Sequence, residues 1–144
     1  MMLQRIATIF LSAVFVIAGG LKIFDPAGML GAIQAFRVVD GPLALAGAYV
    51  FPWLELFAGL ALLMRPTRAA GAFILLGLMV LFIGVILSAW ARGLSLSCGC
   101  FGAHPAGEVD NYWVLLIRDL ALVVLAGYVL RGAFVDSTKK ADLV

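Results

Sequence analysis

The chain has 144 residues, of which 65% are hydrophobic and only 12% charged, and its mean hydropathy is +1.14. An ordinary soluble domain is about 45–50% apolar and about 25% charged, and a domain this short exposes too much of its surface to hide such an excess. A net charge of +2 without a basic run excludes a nucleic-acid-binding domain, the composition excludes a disordered chain, and two cysteines are too few for a disulfide-stapled secreted scaffold. The reading is an integral membrane protein whose surroundings are a lipid bilayer.

Charges divide the chain into apolar segments of the length that crosses a bilayer as a helix, about 17–25 residues. The first runs from Ile6 to Leu21 between Arg5 and Lys22, a span of about 5–23 with its flanks. Its basic start, apolar run and small residues at Ala18–Gly20 resemble a secretory signal, but the charged Lys22–Asp25 terminus points to a retained span. Asp25-Pro26 then reads as an N-cap followed by proline at the first helical position. Met29, Leu30, Ile33 and Phe36 recur at helical spacing, so a short helix lying in the interface is expected before Gly41-Pro42 turns the chain.

The second span, Leu43 to Met64, is interrupted only by Glu55, and the third, Ala69 to Ala91, carries no charge. The fourth, about 112–131, opens at Tyr112 and holds the Arg118-Asp119 pair. Tyr112, Trp113 and Trp90 flank the loop between the third and fourth spans, where aromatic rings favour the headgroup region. The runs are continuous rather than alternating, which selects helices over a barrel. The expected fold is all-α: a single domain over 1–144, a four-helix membrane bundle with one short interfacial helix in its first outer loop.

Lysine and arginine counts orient the bundle. Arg5, Arg65, Arg68, Arg131, Lys139 and Lys140 share one side, against Lys22, Arg37 and Arg92 on the other, with Arg118 inside the start of the fourth span. Both termini are therefore expected in the cytoplasm of a cell with this protein in its inner membrane, and the loops 23–42 and 92–111 outside.

Both cysteines, Cys98 and Cys100, stand two apart in the glycine-rich second outer loop. A disulfide between such near neighbours lies at the edge of good geometry, so it is strained, and strained, exposed disulfides are the labile ones. Closing so short a loop adds little stability, which suits the pair to exchange rather than to stapling. Arg92 and His104 stand nearby in sequence as cations able to stabilise a thiolate. Two rivals stay open: a soft-metal site built from Cys98, Cys100 and His104, and an inert or silent pair.

Glu55 lies well inside the second span, where a carboxylate must be protonated or paired. Arg118 is the natural partner and Lys22 the second candidate; Lys22 and Asp25 are otherwise explained by snorkelling and capping, and Arg118 and Asp119, as neighbours, point to different faces. Pro52, one turn before Glu55, frees a backbone carbonyl and favours a kink, and Gly59, Gly71, Gly77 and Gly84 read as helix-packing positions. Glu55 serves either as an interhelical clamp or as a proton or quinone-headgroup contact, with Arg118 and Trp53 in the same vicinity.

Taken in order, Ala18-Gly-Gly-Leu-Lys22-Ile-Phe-Asp25-Pro26, Pro52-Trp53-Leu-Glu55-Leu, Cys98-Gly-Cys100-Phe-Gly102, Trp113 and Arg118-Asp119 resemble the MauE branch of the DoxX-like four-span membrane proteins. The resemblance implies a part in methylamine-utilisation-type systems. It would be a membrane protein that helps form or shuttle disulfides in an exported, disulfide-containing enzyme, beside a thioredoxin-like extracytoplasmic partner. The wider group also resembles quinone-linked thiol–disulfide oxidoreductases, but this chain lacks the second cysteine pair of a complete relay. A noncatalytic membrane assembly subunit and a small metal- or solute-binding membrane protein are the alternatives.

Overall fold

A computed structural model describes residues 2–93 and 112–141, and every regular element among them is helical. The order is α1 (Met2–Phe24), α2 (Pro26–Ala35), α3 (Pro42–Leu63), α4 (Arg68–Ala91) and α5 (Tyr112–Ala141). Four of them are long and apolar enough to cross a membrane: α1, α3, α4 and the Trp113–Val135 part of α5.

The boundaries follow from local chemistry. The Asp25 carboxylate accepts the Gly28 N–H at 2.9 Å, and Pro26 opens α2 where its missing N–H is no loss. Gly41 turns into α3 with φ +64°, a left-handed conformation that favours glycine, and Pro42 again takes the first helical position. The short turn between α3 and α4 is closed by side chains. Thr67 Oγ1 donates to the Ala61 carbonyl at 3.0 Å and Arg68 Nε to the Leu62 carbonyl at 3.1 Å, satisfying carbonyls that the end of α3 leaves unpaired. The assigned helix runs through Pro52 without a break.

Consecutive long helices are antiparallel, and they close into a ring in which α1 packs on α3 and α5, α3 on α4, and α4 on α5, while α2 lies against α3. Small residues set the closest crossings. A Cβ at Gly19 would meet the Pro52 carbonyl at 2.8 Å, and one at Gly71 the Ala58 carbonyl at 2.8 Å. Such approaches supply the packing that drives helix association where lipid is as apolar as the side chains. Gly59 also packs, against Val16, whereas Gly77 and Gly84 have open space around their Cα atoms and are not packing positions. Ser12 adds one interhelical hydrogen bond, donating to the Gly59 carbonyl at 2.8 Å.

Leu11, Leu62, Leu75, Ala72, Ala126 and Val129 fill the axis of the ring. The outer faces are equally apolar, with Phe10, Phe57, Phe73, Ile117 and Val124 all exposed. A surface of that kind is stable only against hydrocarbon. Antiparallel packing gathers Lys22, α2, Arg92 and Trp113 at one end of the bundle, and Gln4, the α3–α4 turn and Gly132 at the other. Gly93 and Tyr112, the described residues that flank the cysteine-bearing stretch, both belong to the first end.

Candidate functional site

Lys22 sits in the last turn of α1, one turn past Gly19. The close crossing at Gly19 brings the two backbones together, and the Lys22 ammonium crosses to α3 to donate to both oxygens of Glu55, each at 2.8 Å. Lys22 is 5% exposed and Glu55 1%, so the pair is withdrawn from solvent and lipid alike. The Phe82 ring of α4 lies 5.6 Å from the ammonium and adds a cation–π contact. Lys22 is thus the direct ion-pair partner of the carboxylate, rather than the expected Arg118, and the distance from α1 to α3 explains why. The helices touch there, and α5 approaches α1 and α4 instead.

Arg118 donates to its own neighbour, with Nε 2.9 Å and Nη2 2.8 Å from Asp119 Oδ1. Adjacency on a helix separates Cα–Cβ directions, yet the long guanidinium stem bends back far enough to bridge them. Asp119 is buried, and its Oδ2 accepts no hydrogen bond from the described residues. Both ion pairs border one cavity of about 20 Å³, with Phe15, Met79 and Phe82 among the other walls. That volume is enough for one water. Charged side chains of α1, α3 and α5 therefore border the same small cavity as two ion pairs, with Arg118 reaching it from a partly exposed position.

A second, larger cavity of about 190 Å³ lies between α2, α3 and α4. Met29, Phe36, Phe51, Phe82 and Ile86 line it with almost wholly apolar surface, and among the described residues Lys22 is the one charged residue that borders it. Its rim includes Val38, Val39 and Leu81, all exposed. The rim is held by Arg92, whose Nη1 and Nη2 donate to the carbonyls of Arg37 at 2.9 Å and Phe36 at 2.6 Å. Arg37 carries φ +49°, an unfavourable conformation for a residue with a Cβ, and the clamp holds the turn in it.

The remaining sequence candidates separate. Trp53 stacks on Phe57 with ring centroids 5.7 Å apart on the outer face of α3, and it lines neither cavity. Asp25 caps α2 rather than pairing with Lys22. Cys98, Cys100 and His104 lie outside the described residues. Sequence reasoning missed the cavity under α2 and the role of Arg92. The Lys22–Glu55 pairing had a signal in the sequence: Ala18-Gly19-Gly20 marks a close crossing just before Lys22.

No solved structure matches the chain. Among characterised sequences it is 28% identical over 125 residues to the methylamine utilization protein MauE of Paracoccus denitrificans, covering 86% of this chain and 66% of that protein. The corresponding protein of Methylophilus methylotrophus is 29% identical over 124 residues, covering 85% and 65%, and that of Methylorubrum extorquens is 33% identical over 97 residues, covering 67% and 51%. The chain thus spans from half to just under two thirds of the length of these relatives. The family described as methylamine utilisation protein MauE matches residues 1–132, which takes in α1 to α4 and most of α5, and with them the buried pair and both cavities: the chain belongs to the MauE family.

Proposed function

We propose that the protein is a membrane thiol–disulfide carrier whose Cys98–Cys100 pair, on the extracytoplasmic side of the inner membrane, serves the maturation of an exported disulfide-containing enzyme. The single observation that carries this is the confinement of both cysteines to the one stretch between Gly93 and Tyr112. Those flanking residues share the bundle end that bears α2 and the buried pair. Membership of the MauE family supports a place in a methylamine-utilisation-type system, beside a thioredoxin-like partner. The four apolar spans and the motif order support kinship with the wider DoxX-like group. The excess of Lys and Arg on the opposite side supports both termini in the cytoplasm, and the apolar α2 supports its place in the interface.

The chemistry is exchange. A client thiolate attacks one sulfur of the Cys98–Cys100 disulfide, breaking that bond and forming a mixed disulfide. The client's second thiol then displaces the carrier sulfur, leaving an oxidised client and a Cys98/Cys100 dithiol. Two electrons and two protons leave the dithiol to a membrane quinone, and the carrier disulfide re-forms. With one cysteine pair, this route needs an acceptor other than a second thiol pair of its own.

Cys98→Ser and Cys100→Ser test the reading. Each is expected to abolish disulfide formation in the exported client, scored by thiol alkylation. Client oxidation unchanged in both single variants refutes it and favours a noncatalytic assembly subunit.

A further inference from the structure

The end of the bundle opposite α2 gathers arginines that, among the described residues, have no carboxylate partner. Along α1, residues 5, 12 and 19 stand seven apart and so share a face. On that face Gly19 packs on the Pro52 carbonyl and Leu56, and Ser12 donates to the Gly59 carbonyl, so Arg5 looks toward α3. Its height follows from the helical rise. Arg5 stands seven residues beyond Ser12, whereas α3 ends at Leu63, four residues beyond Gly59. The surplus lifts Arg5 about 4.5 Å past the end of α3, to the level of the turn that holds Arg65 and leads into Arg68. Arg5 and Arg65 are exposed, and neither makes a hydrogen bond or ion pair among the described residues. Arg68 donates from Nε to the Leu62 carbonyl at 3.1 Å, which fixes its guanidinium at the same corner. The acidic side chains that are described lie elsewhere. Asp25 and Asp40 flank α2 at the other end, and Glu55 and Asp119 are held by Lys22 and Arg118.

We propose that this corner, formed by Arg5, Arg65 and Arg68, binds the phosphate of an anionic phospholipid. A guanidinium fork matches two phosphate oxygens, and a phosphodiester among three such groups relieves their mutual repulsion. Arg68 is already held by the Leu62 carbonyl, so less side-chain freedom is lost on binding. The surroundings select a lipid over a soluble anion. Leu3 and Ile6 in the first turns of α1, and Leu63 and Met64 at the end of α3, are exposed apolar side chains on which acyl chains can lie. The charge selects the class of lipid. With no carboxylate at the corner among the described residues, the ammonium of a zwitterionic headgroup meets guanidinium groups and finds no partner, whereas a net negative headgroup is attracted. Bound there, the lipid ties the first turns of α1 to the α3–α4 turn. The site lies at the end opposite Gly93 and Tyr112 and owes nothing to the carrier reading.

The test is native mass spectrometry of the purified full chain in detergent micelles, titrated with dioleoylphosphatidylglycerol and, in parallel, with dioleoylphosphatidylcholine. One phosphatidylglycerol per chain is expected to bind, at least about tenfold more tightly than phosphatidylcholine. Each arginine beside an anionic lipid is worth about fivefold in affinity. Arg5→Gln/Arg65→Gln, which removes two exposed side chains without breaking a contact, is therefore expected to raise the Kd for phosphatidylglycerol at least about tenfold. Arg37→Gln removes an exposed arginine from the other end and is expected to leave that Kd unchanged. An excess of inorganic phosphate is expected to leave the lipid bound. Equal affinity for the two lipids, an unchanged Kd in the double variant, or a loss in Arg37→Gln as large as in the double variant overturns the proposal. Displacement by inorganic phosphate marks a site for a soluble anion and overturns the assignment to a lipid.

Discussion

Lys22→Met removes the ammonium and leaves the Glu55 carboxylate, 1% exposed, inside the ring without its partner. Stripping one member from a buried, doubly hydrogen-bonded ion pair costs about 3–5 kcal/mol, because the remaining charge stays desolvated. Glu55→Leu strands the ammonium and is expected to cost a similar amount, about 3–5 kcal/mol. Replacing both charges with apolar groups removes the desolvation along with the attraction, so Lys22→Met/Glu55→Leu is expected to be neutral or up to about 1–4 kcal/mol more stable than the parent. The assay is reversible unfolding by SDS in mixed micelles, followed by helical circular dichroism, on all four proteins of the cycle. A large coupling energy of opposite sign to the single losses is the signature of a contact pair. Two results refute the reasoning: single variants within about 1 kcal/mol of the parent, as an exposed pair would give, or a double variant that loses the sum of the singles.

Gly71→Ala drives a methyl against the Ala58 carbonyl backbone and is expected to lower stability by about 1–3 kcal/mol, whereas Gly77→Ala meets nothing within 4 Å and gains about 0.5–1 kcal/mol of helix propensity. Equal effects in the same SDS titration contradict the assigned α3–α4 crossing. Arg92→Ala removes two charge-assisted hydrogen bonds from the turn after α2, and amide exchange over residues 34–40 is expected to accelerate about tenfold with little change in global unfolding. Exchange unchanged there shows that the turn holds without the clamp.

Much of the architecture is legible in the sequence itself. Uninterrupted apolar runs bounded by charges define the four spans, because a bilayer leaves a backbone no alternative to satisfying its own hydrogen bonds. Asp25-Pro26 and Gly41-Pro42 mark helix starts by side-chain capping and backbone geometry that act over three or four residues. These are local or solvent-imposed effects, and local sequence carries them in full.

What the tertiary structure decided is which side chains meet. Glu55 had to be protonated or find a partner, but the choice between Lys22 and Arg118 depends on which helices touch at that depth. Gly19 against the Pro52 carbonyl settles that in favour of α1. Gly71 and Gly77 look alike in the sequence, yet one lies under a neighbouring backbone and the other faces open space, a difference of helix rotation. The cavity under α2 likewise exists only because that helix leans on α3 and stands away from α4, with Arg92 tying its end back across the gap. Spans and caps are properties of a segment and its solvent; pairings and cavities are properties of the relative placement of segments, which no single stretch of chain encodes.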